Sequence, residues 1–218
     1  MKRLYIVVEG QTEQEFVNTL LQPYFAQHGV YVVVPVLINT SKMGKGGFVN
    51  YQHLRNTVEG LLKCDAKKNA YVTTFVDFFR IPTSLPAYEK AMSLENDLAR
   101  VAALEKAINK DLGSSVFSAY IQLHEFEALL FSDNIGFSCY FSKDVADRTL
   151  QIIDSYDNPE DINSGAATAP SKRILAIQPD YNKVLEGNVL ALEIGIEKIL
   201  ERCPRFSRWI NTLIDICK

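Results

Sequence analysis

The chain lacks most of what would mark a membrane, secreted or zinc-finger protein. No window of its 218 residues approaches about eighteen consecutive apolar positions, so a membrane-spanning helix is excluded. The opening Met1-Lys2-Arg3-Leu4 runs into an apolar stretch that meets Glu9 after five residues, too short for a signal peptide's apolar region, and a cytoplasmic protein is expected. Only four cysteines are present, Cys64, Cys139, Cys203 and Cys217, without Cys-x-x-Cys spacing or neighbouring histidine pairs. That suggests neither a zinc site nor a disulfide framework and predicts free thiols. Positive charge is in slight deficit, 23 Lys and Arg against 26 Asp and Glu, for a net charge of −3. A protein that coats nucleic acid through a global positive field is therefore disfavoured, although a local basic patch is not. Internal repeats and low-complexity segments are also missing.

What is present is an ordinary globular composition, 47% hydrophobic and 22% charged, long enough to bury one sizeable core. Residues 171–218 hold eight Lys and Arg against six Asp and Glu, so the tail is mildly basic and the front acidic. An acidic front means either solvated helices or carboxylates gathered to hold a cation.

Leu4 to Val8 is a continuous β-branched and aromatic run that predicts a short strand buried on both faces. Thr12 reads as a helix N-cap with Glu15 completing a capping box, and Phe16, Leu20, Leu21, Tyr24 and Phe25 recur at helical spacing up to His28-Gly29. Val30 to Ile38 is a second strand, placed at an edge because it contains Pro35. Asn39 to Phe48 is a glycine-rich loop with Lys42 and Lys45. A helix over about Asn50 to Lys67 precedes a third strand, Tyr71 to Val76, that ends on Asp77. A helix from roughly Tyr88 to Leu112 follows, with Leu94, Leu98, Val101, Leu104 and Ile108 on one face. Ser115 to Leu123 is a fourth strand, and His124 to Ser132 starts a helix or continues that strand. Beyond Asp133 come helices around Lys143 to Tyr156, Pro170 to Ile177, Gly187 to Glu201 and Pro204 to Ile216. The predicted architecture is α/β: a mostly parallel sheet of about four strands flanked by helices in residues 1–135, with a helical C-terminal extension in 136–218 packed on it. Asn158 to Ser171 is the expected boundary or functional loop.

In open α/β sheets the ligand site lies outside the carboxyl ends of the strands. Three of those ends carry acids: Glu9 after strand one, Asp77 after strand three, Glu125 and Glu127 after strand four. Such a cluster repels itself, and a divalent cation, Mg²⁺ or Mn²⁺, is the expected neutraliser. Glu13 is a further candidate, although helix-end electrostatics also explain it. In a helix Glu125 and Glu127 face apart, whereas in a strand they share a face; Glu127 is preferred, with His124 three residues before it. Cations that suit a phosphate are Lys42, Lys45 and Arg80, together with Ser171-Lys172-Arg173 at the start of a helix.

Val7-Val8-Glu9-Gly10-Gln11-Thr12-Glu13 resembles the strand-Glu-Gly-x-Thr-Glu opening of Toprim-fold proteins, and Phe75-Val76-Asp77-Phe78-Phe79 falls where that fold carries Asp-x-Asp. Further segments, Asp77-Phe78-Phe79-Arg80-Ile81-Pro82, His124-Glu125-Phe126-Glu127, Thr168-Ala169-Pro170-Ser171-Lys172-Arg173 and Cys203-Pro204-Arg205-Phe206, resemble a bacterial family of Toprim-like proteins of unknown function, often encoded beside an AAA or ABC-type ATPase and linked to phage defence. The resemblance implies a Mg²⁺- or Mn²⁺-dependent nuclease, related to overcoming-lysogenization-defect nucleases. In it Glu9 is general acid/base or metal ligand, Asp77 is the first acid of Asp-x-Asp, and an ATPase partner and a DNA or RNA substrate complete the system. A homodimer is compatible with this. Phe79 stands at the second acid position, so Glu127 or Glu125 would have to supply the lost ligand. Two other readings stay open: a non-catalytic binding or regulatory subunit that keeps the fold, and a phosphoryl-handling enzyme acting on nucleotides.

Overall fold

Strand β1 (Arg3–Val8) lies inside the sheet, and its Leu4, Ile6, Val7 and Val8 are all fully buried, as a β-branched run without polar alternation requires. The computed structural model describes residues 2–38, 48–64, 69–162, 165 and 167–218. Helix α1 (Gln11–Phe16) follows β1 and passes through a π-helical turn, Val17–Leu21, into α2 (Gln22–Gln27). Pro23, near the start of α2, has no N–H for the carbonyl one turn back, and the widened turn sits immediately before it. The helix begins earlier than the capping box at Thr12 and Glu15 predicts. Gly10 is the N-cap, its N–H donates to Glu13 Oε2 at 2.9 Å, and Glu15 is exposed.

Strand β2 (Val33–Leu37), α3 (Tyr51–Cys64) and β3 (Ala70–Asp77) complete two crossovers. The sheet order is β2-β1-β3-β4, every pairing is parallel, and β2 is the edge strand that tolerates Pro35. The single helix expected over 88–112 is two, α4 (Tyr88–Met92) and α5 (Asp97–Leu112), because Asn96 caps the second by accepting from the Ala99 N–H at 2.9 Å. Leu94 and Leu98 are exposed in consequence, while Val101, Leu104 and Ile108 form the buried stripe. The fourth strand is also divided, into β4 (Phe117–Ser118) and β5 (Ile121–Gln122), both paired with β3. Between them the Thr74 hydroxyl accepts from the Tyr120 N–H at 2.8 Å and donates to the Tyr120 carbonyl at 2.7 Å, replacing the ladder.

The remaining elements are a 3₁₀ helix, Phe126–Ser132, then α6 (Ile135–Tyr140), α7 (Lys143–Ile153), a 3₁₀ turn at Pro159–Asp161, α8 (Pro170–Ile177), α9 (Leu185–Ile194), α10 (Ile196–Arg202) and α11 (Pro204–Cys217). Gly195, at φ +81°, separates α9 from α10 where one helix is expected. In the segment anticipated as a boundary, Glu160 is fully buried and its carboxylate accepts the N–H groups of Arg205 and Phe206 at the start of α11, at 2.7 and 3.2 Å.

Two apolar layers sandwich the sheet. Leu4, Ile6, Val8 and Phe75 face α1, α2 and the helices after Asp133, with Phe16, Phe126, Phe206 and Trp209 at the centre. Val7, Val72 and Val76 face α3 and α5. Tyr120 and Trp209 stack at 4.3 Å between ring centroids, and Trp209 Nε1 donates to Thr73 Oγ1 at 3.0 Å, so α11 is keyed to β3. Cys64 and Cys139 are exposed, Cys203 and Cys217 buried, all as free thiols. Among the described residues no helix is long and apolar enough to cross a membrane.

Helices α6 and α9 approach most closely at Gly136, where a Cβ would stand 2.8 Å from the Leu190 carbonyl oxygen. Gly136→Ala must push the two helices apart, and it is expected to cost about 1–3 kcal/mol. Urea unfolding should show a lower midpoint with an unchanged slope.

Candidate functional site

The chain goes from β1 to β2 on one side and returns to β3 on the other, so β1 and β3 flank the point where the strand order reverses. A crevice opens there at the carboxyl ends of the strands. Glu9 is the first residue beyond β1 and Asp77 the last of β3. Glu9 Oε2 accepts the Asp77 N–H at a long 3.4 Å. Burial and the neighbouring Glu13 charge push the Glu9 carboxyl above its usual range, against the backbone N–H groups of Phe48 and Asp77 and the charge of Lys183. Asp77 Oδ1 accepts the Phe126 N–H at 2.9 Å, and Oδ2 lies 3.4 Å from Lys183 Nζ. Burial holds Asp77 well above the ordinary aspartate range, with Glu13, Glu9 and Glu127 adding to the effect and Lys183 opposing it.

The stretch after β5 settles which glutamate reaches the cluster. Phe78 and Phe79 donate their N–H groups to the carbonyls of Gln122 and His124 at 3.0 and 2.8 Å, tying the two post-strand loops together. Both loops then turn through left-handed backbone, Arg80 at φ +60° and His124 at φ +66°. Such conformations cost free energy in non-glycine residues and persist where surrounding structure enforces them. After the turn Glu125 is extended, and its carboxylate takes the Ser171 N–H at 2.9 Å and hydroxyl at 3.0 Å. Glu127, in the first turn of the 3₁₀ helix, points inward with no exposed surface, and its Oε2 is 3.2 Å from Lys183 Nζ. Neither Glu127 oxygen accepts a well-formed hydrogen bond, and the buried Tyr181 hydroxyl beside it is also without one. Burial raises Glu127 to about 7, with the Lys183 charge restraining the rise.

Two residues join the cluster from outside the three strand ends. Glu13, read equally well as a helix-end residue, is buried, and its Oε1 is 3.7 Å from Lys183 Nζ. Lys183, just before α9, was not legible as a site residue. Burial disfavours its ammonium, but the charges of Asp77, Glu127, Glu13 and Glu125 outweigh that and hold it well above the usual lysine range. No periodicity, glycine or motif marks Asp180-Tyr181-Asn182-Lys183; the only available signal was the need of a buried acidic cluster for a counter-charge.

The other candidates lie apart. His124 is buried with Nδ1 3.8 Å from Asp97 Oδ2, and burial lowers its pKa. Its expected sharing of a face with Glu127 is corrected by the left-handed turn between them. Ser171 is engaged by Glu125, which occupies the start of α8 where a phosphate was anticipated, while Lys172 beside it is half-buried. Arg173 turns away, donating to the Thr168 carbonyl and the Tyr156 hydroxyl. Arg80 is exposed, 5.2 Å over the Phe79 ring. Lys42 and Lys45 lie outside the described residues.

As arranged, no three His, Cys, Asp or Glu side chains among the described residues close on a single point suited to a metal ion. The donor set nonetheless fits one chemically. It consists of hard carboxylate oxygens, the choice of Mg²⁺ and Mn²⁺, and Glu127 keeps two buried oxygens without hydrogen bonds.

A model of the family described as Domain of unknown function (DUF4276) matches residues 8–214. No curated protein matches the chain. Among solved structures, the C-terminal region of the Xanthomonas campestris pv. campestris OLD protein is similar at 14% identity and a TM-score of 0.44, over 97% of this chain and 95% of that one.

The site makes stability depend on pH. Glu127 has a model-compound value of 4.5 and titrates near 7 when folded, so between these limits the folded state keeps a proton that the unfolded state has released. Its contribution is fully present below about 4.5 and is lost as pH rises to about 7, on the order of 3 kcal/mol. Urea unfolding across that range in chelator-treated buffer should show the decline, and Glu127→Gln should reduce it, leaving the part that comes from Glu9 and Asp77, which burial also raises.

Proposed function

The chain belongs to the family described as Domain of unknown function (DUF4276), and since that description assigns no chemistry we propose one from the site itself: a Mg²⁺- or Mn²⁺-dependent nuclease of the Toprim type. The observation that carries this reading is the convergence of Glu9, Asp77 and Glu127 at the switch point between β1 and β3, with the buried oxygens of Glu127 left without hydrogen bonds. The Glu-Gly-x-Thr-Glu opening and the position of Asp77 agree with it as motifs. Asp77 and Glu127 would hold the ion, with Glu125 and Glu13 flanking and Glu9 beside it as general acid/base or a further ligand. When bound, the ion would polarise a phosphoryl oxygen and acidify a water. Glu9, as the general acid/base, would take the proton of the attacking water as its oxygen bonds to phosphorus, and return it to the oxygen of the P–O bond that breaks. Arg80, exposed beyond β3, and Lys172, next to Ser171, would be the cations that meet the phosphodiester backbone. A net charge of −3 gives such a surface little long-range pull, so an AAA or ABC-type ATPase partner would bring the DNA or RNA substrate in a cytoplasmic defence module.

Two observations favour a second reading. Phe79 replaces an acid and Lys183 lies among the carboxylates, which also suits a non-catalytic, regulatory member of the same module.

Glu9→Gln and Asp77→Asn separate the two. With Mg²⁺ or Mn²⁺ and the ATPase present, each should reduce cleavage of plasmid DNA or tRNA by about 100-fold or more. Cleavage left unchanged by both substitutions would remove the nuclease reading, and cleavage by neither the parent nor the variants would leave the regulatory one.

A further inference from the structure

We propose that the Lys183 ammonium is a resident counter-ion that occupies the divalent cation's place among Glu13, Asp77 and Glu127 and leaves when the cation enters. The proposal rests on the metal-site reading above and adds to it an exchange between a tethered cation and a free one.

Three features of the geometry point to exchange and not to a fixed structural ion pair. Lys183 Nζ is 3.2 Å from Glu127 Oε2, 3.4 Å from Asp77 Oδ2 and 3.7 Å from Glu13 Oε1. Locked ammonium–carboxylate pairs are shorter, about 2.7–2.9 Å, so this head is shared among three acids and tightly bonded to none. One positive charge also leaves the acids under-compensated, with Glu9 as a fourth carboxylate bonded to the Asp77 N–H. A divalent ion would satisfy more of them, and Glu127 Oε1, buried without a hydrogen-bond partner, is available to it. Finally, the route out is open. The Lys183 side chain is 37% exposed, and the residue lies outside regular helix, just ahead of α9. Its backbone is anchored independently, since the neighbouring Asn182 accepts the Leu185 N–H at 3.1 Å and donates its own N–H to Glu186 at 2.6 Å. The head group can withdraw along its own stem while the core stays packed.

The arrangement explains why no three carboxylates close on one point in this state: they are spread around an ammonium. It also makes metal affinity weaker than the number of carboxylates implies, because entry requires displacing a charge already present.

Two measurements on the full chain test this, with Mn²⁺ alone as the probe. In calorimetry Lys183→Met should bind Mn²⁺ at least about tenfold more tightly than the parent, because a like charge next to the ion is gone. In the parent protein, labelling of Lys183 by an amine-reactive reagent, read by mass spectrometry against Lys198 on α10, should rise severalfold at Mn²⁺ saturation. Equal or weaker Mn²⁺ binding by Lys183→Met, or Lys183 labelling unmoved while Mn²⁺ binds, overturns the exchange and leaves the metal site standing. Absence of Mn²⁺ binding to both proteins overturns the exchange and the metal-site reading together. If Lys183→Met fails to fold, the labelling of the parent protein decides alone.

Discussion

Carboxylates from separate strands cannot share a buried crevice without an opposing charge, and the arrangement around the crevice follows from that constraint. Asp77 is held in the ladder between β3 and β5, Glu9 directly follows β1, and Glu127 follows Phe126, whose N–H is bonded to Asp77. The relief comes from three directions. Burial raises Glu9, Asp77 and Glu127 toward their neutral forms, backbone N–H groups of Phe126 and Asp77 take single oxygens, and Lys183 reaches in from the other end of the chain. The helices after Asp133 therefore do more than cover one face of the sheet. They carry the charge that lets the crevice exist, and Asn188 reinforces the connection by donating to the Thr12 carbonyl in the first turn of α1.

Beneath the charges lies an unusually aromatic floor. Phe16 and Phe126 meet edge to face at 5.1 Å, and Phe75 stacks on Trp209 at 5.4 Å. Rigid rings of this kind keep water away from the lower side of the cluster, which is why burial dominates the carboxyl pKa values. The left-handed turns at Arg80 and His124, together with the bonds between the two loops, hold Glu125 and Glu127 in different directions. One glutamate is spent on the start of α8; the other is left facing the crevice.

Much of the scaffold was legible because its signals are local. A β-branched run ending in an acid identifies both a strand and the residue at its carboxyl end, which is how Glu9 and Asp77 were found. Pro35 placed β2 at an edge for the same reason, and α8 began at Pro170 as expected. What failed depended on distant partners or on a shift of a residue or two. Thr12 and Glu15 have the right spacing for a capping box, yet Gly10 turns the chain sooner and Glu13 takes the bond. His124 carries no glycine to announce a left-handed turn, so the division of labour between Glu125 and Glu127 was open. Lys183 was invisible because its meaning lies wholly in residues more than fifty positions away.

The proline in β2 has a reach beyond the strand. The Val32 carbonyl and the Ile38 N–H bond inward to β1, which leaves the backbone groups of Val33, Pro35 and Leu37 directed outward. Pro35 has no N–H to offer in the middle of that row. A strand from another molecule laid along this side would find an acceptor with no donor beside it, so the sheet cannot be extended seamlessly across β2. Tyr31, Val32 and Val34 stay exposed there without inviting a growing ribbon along β2.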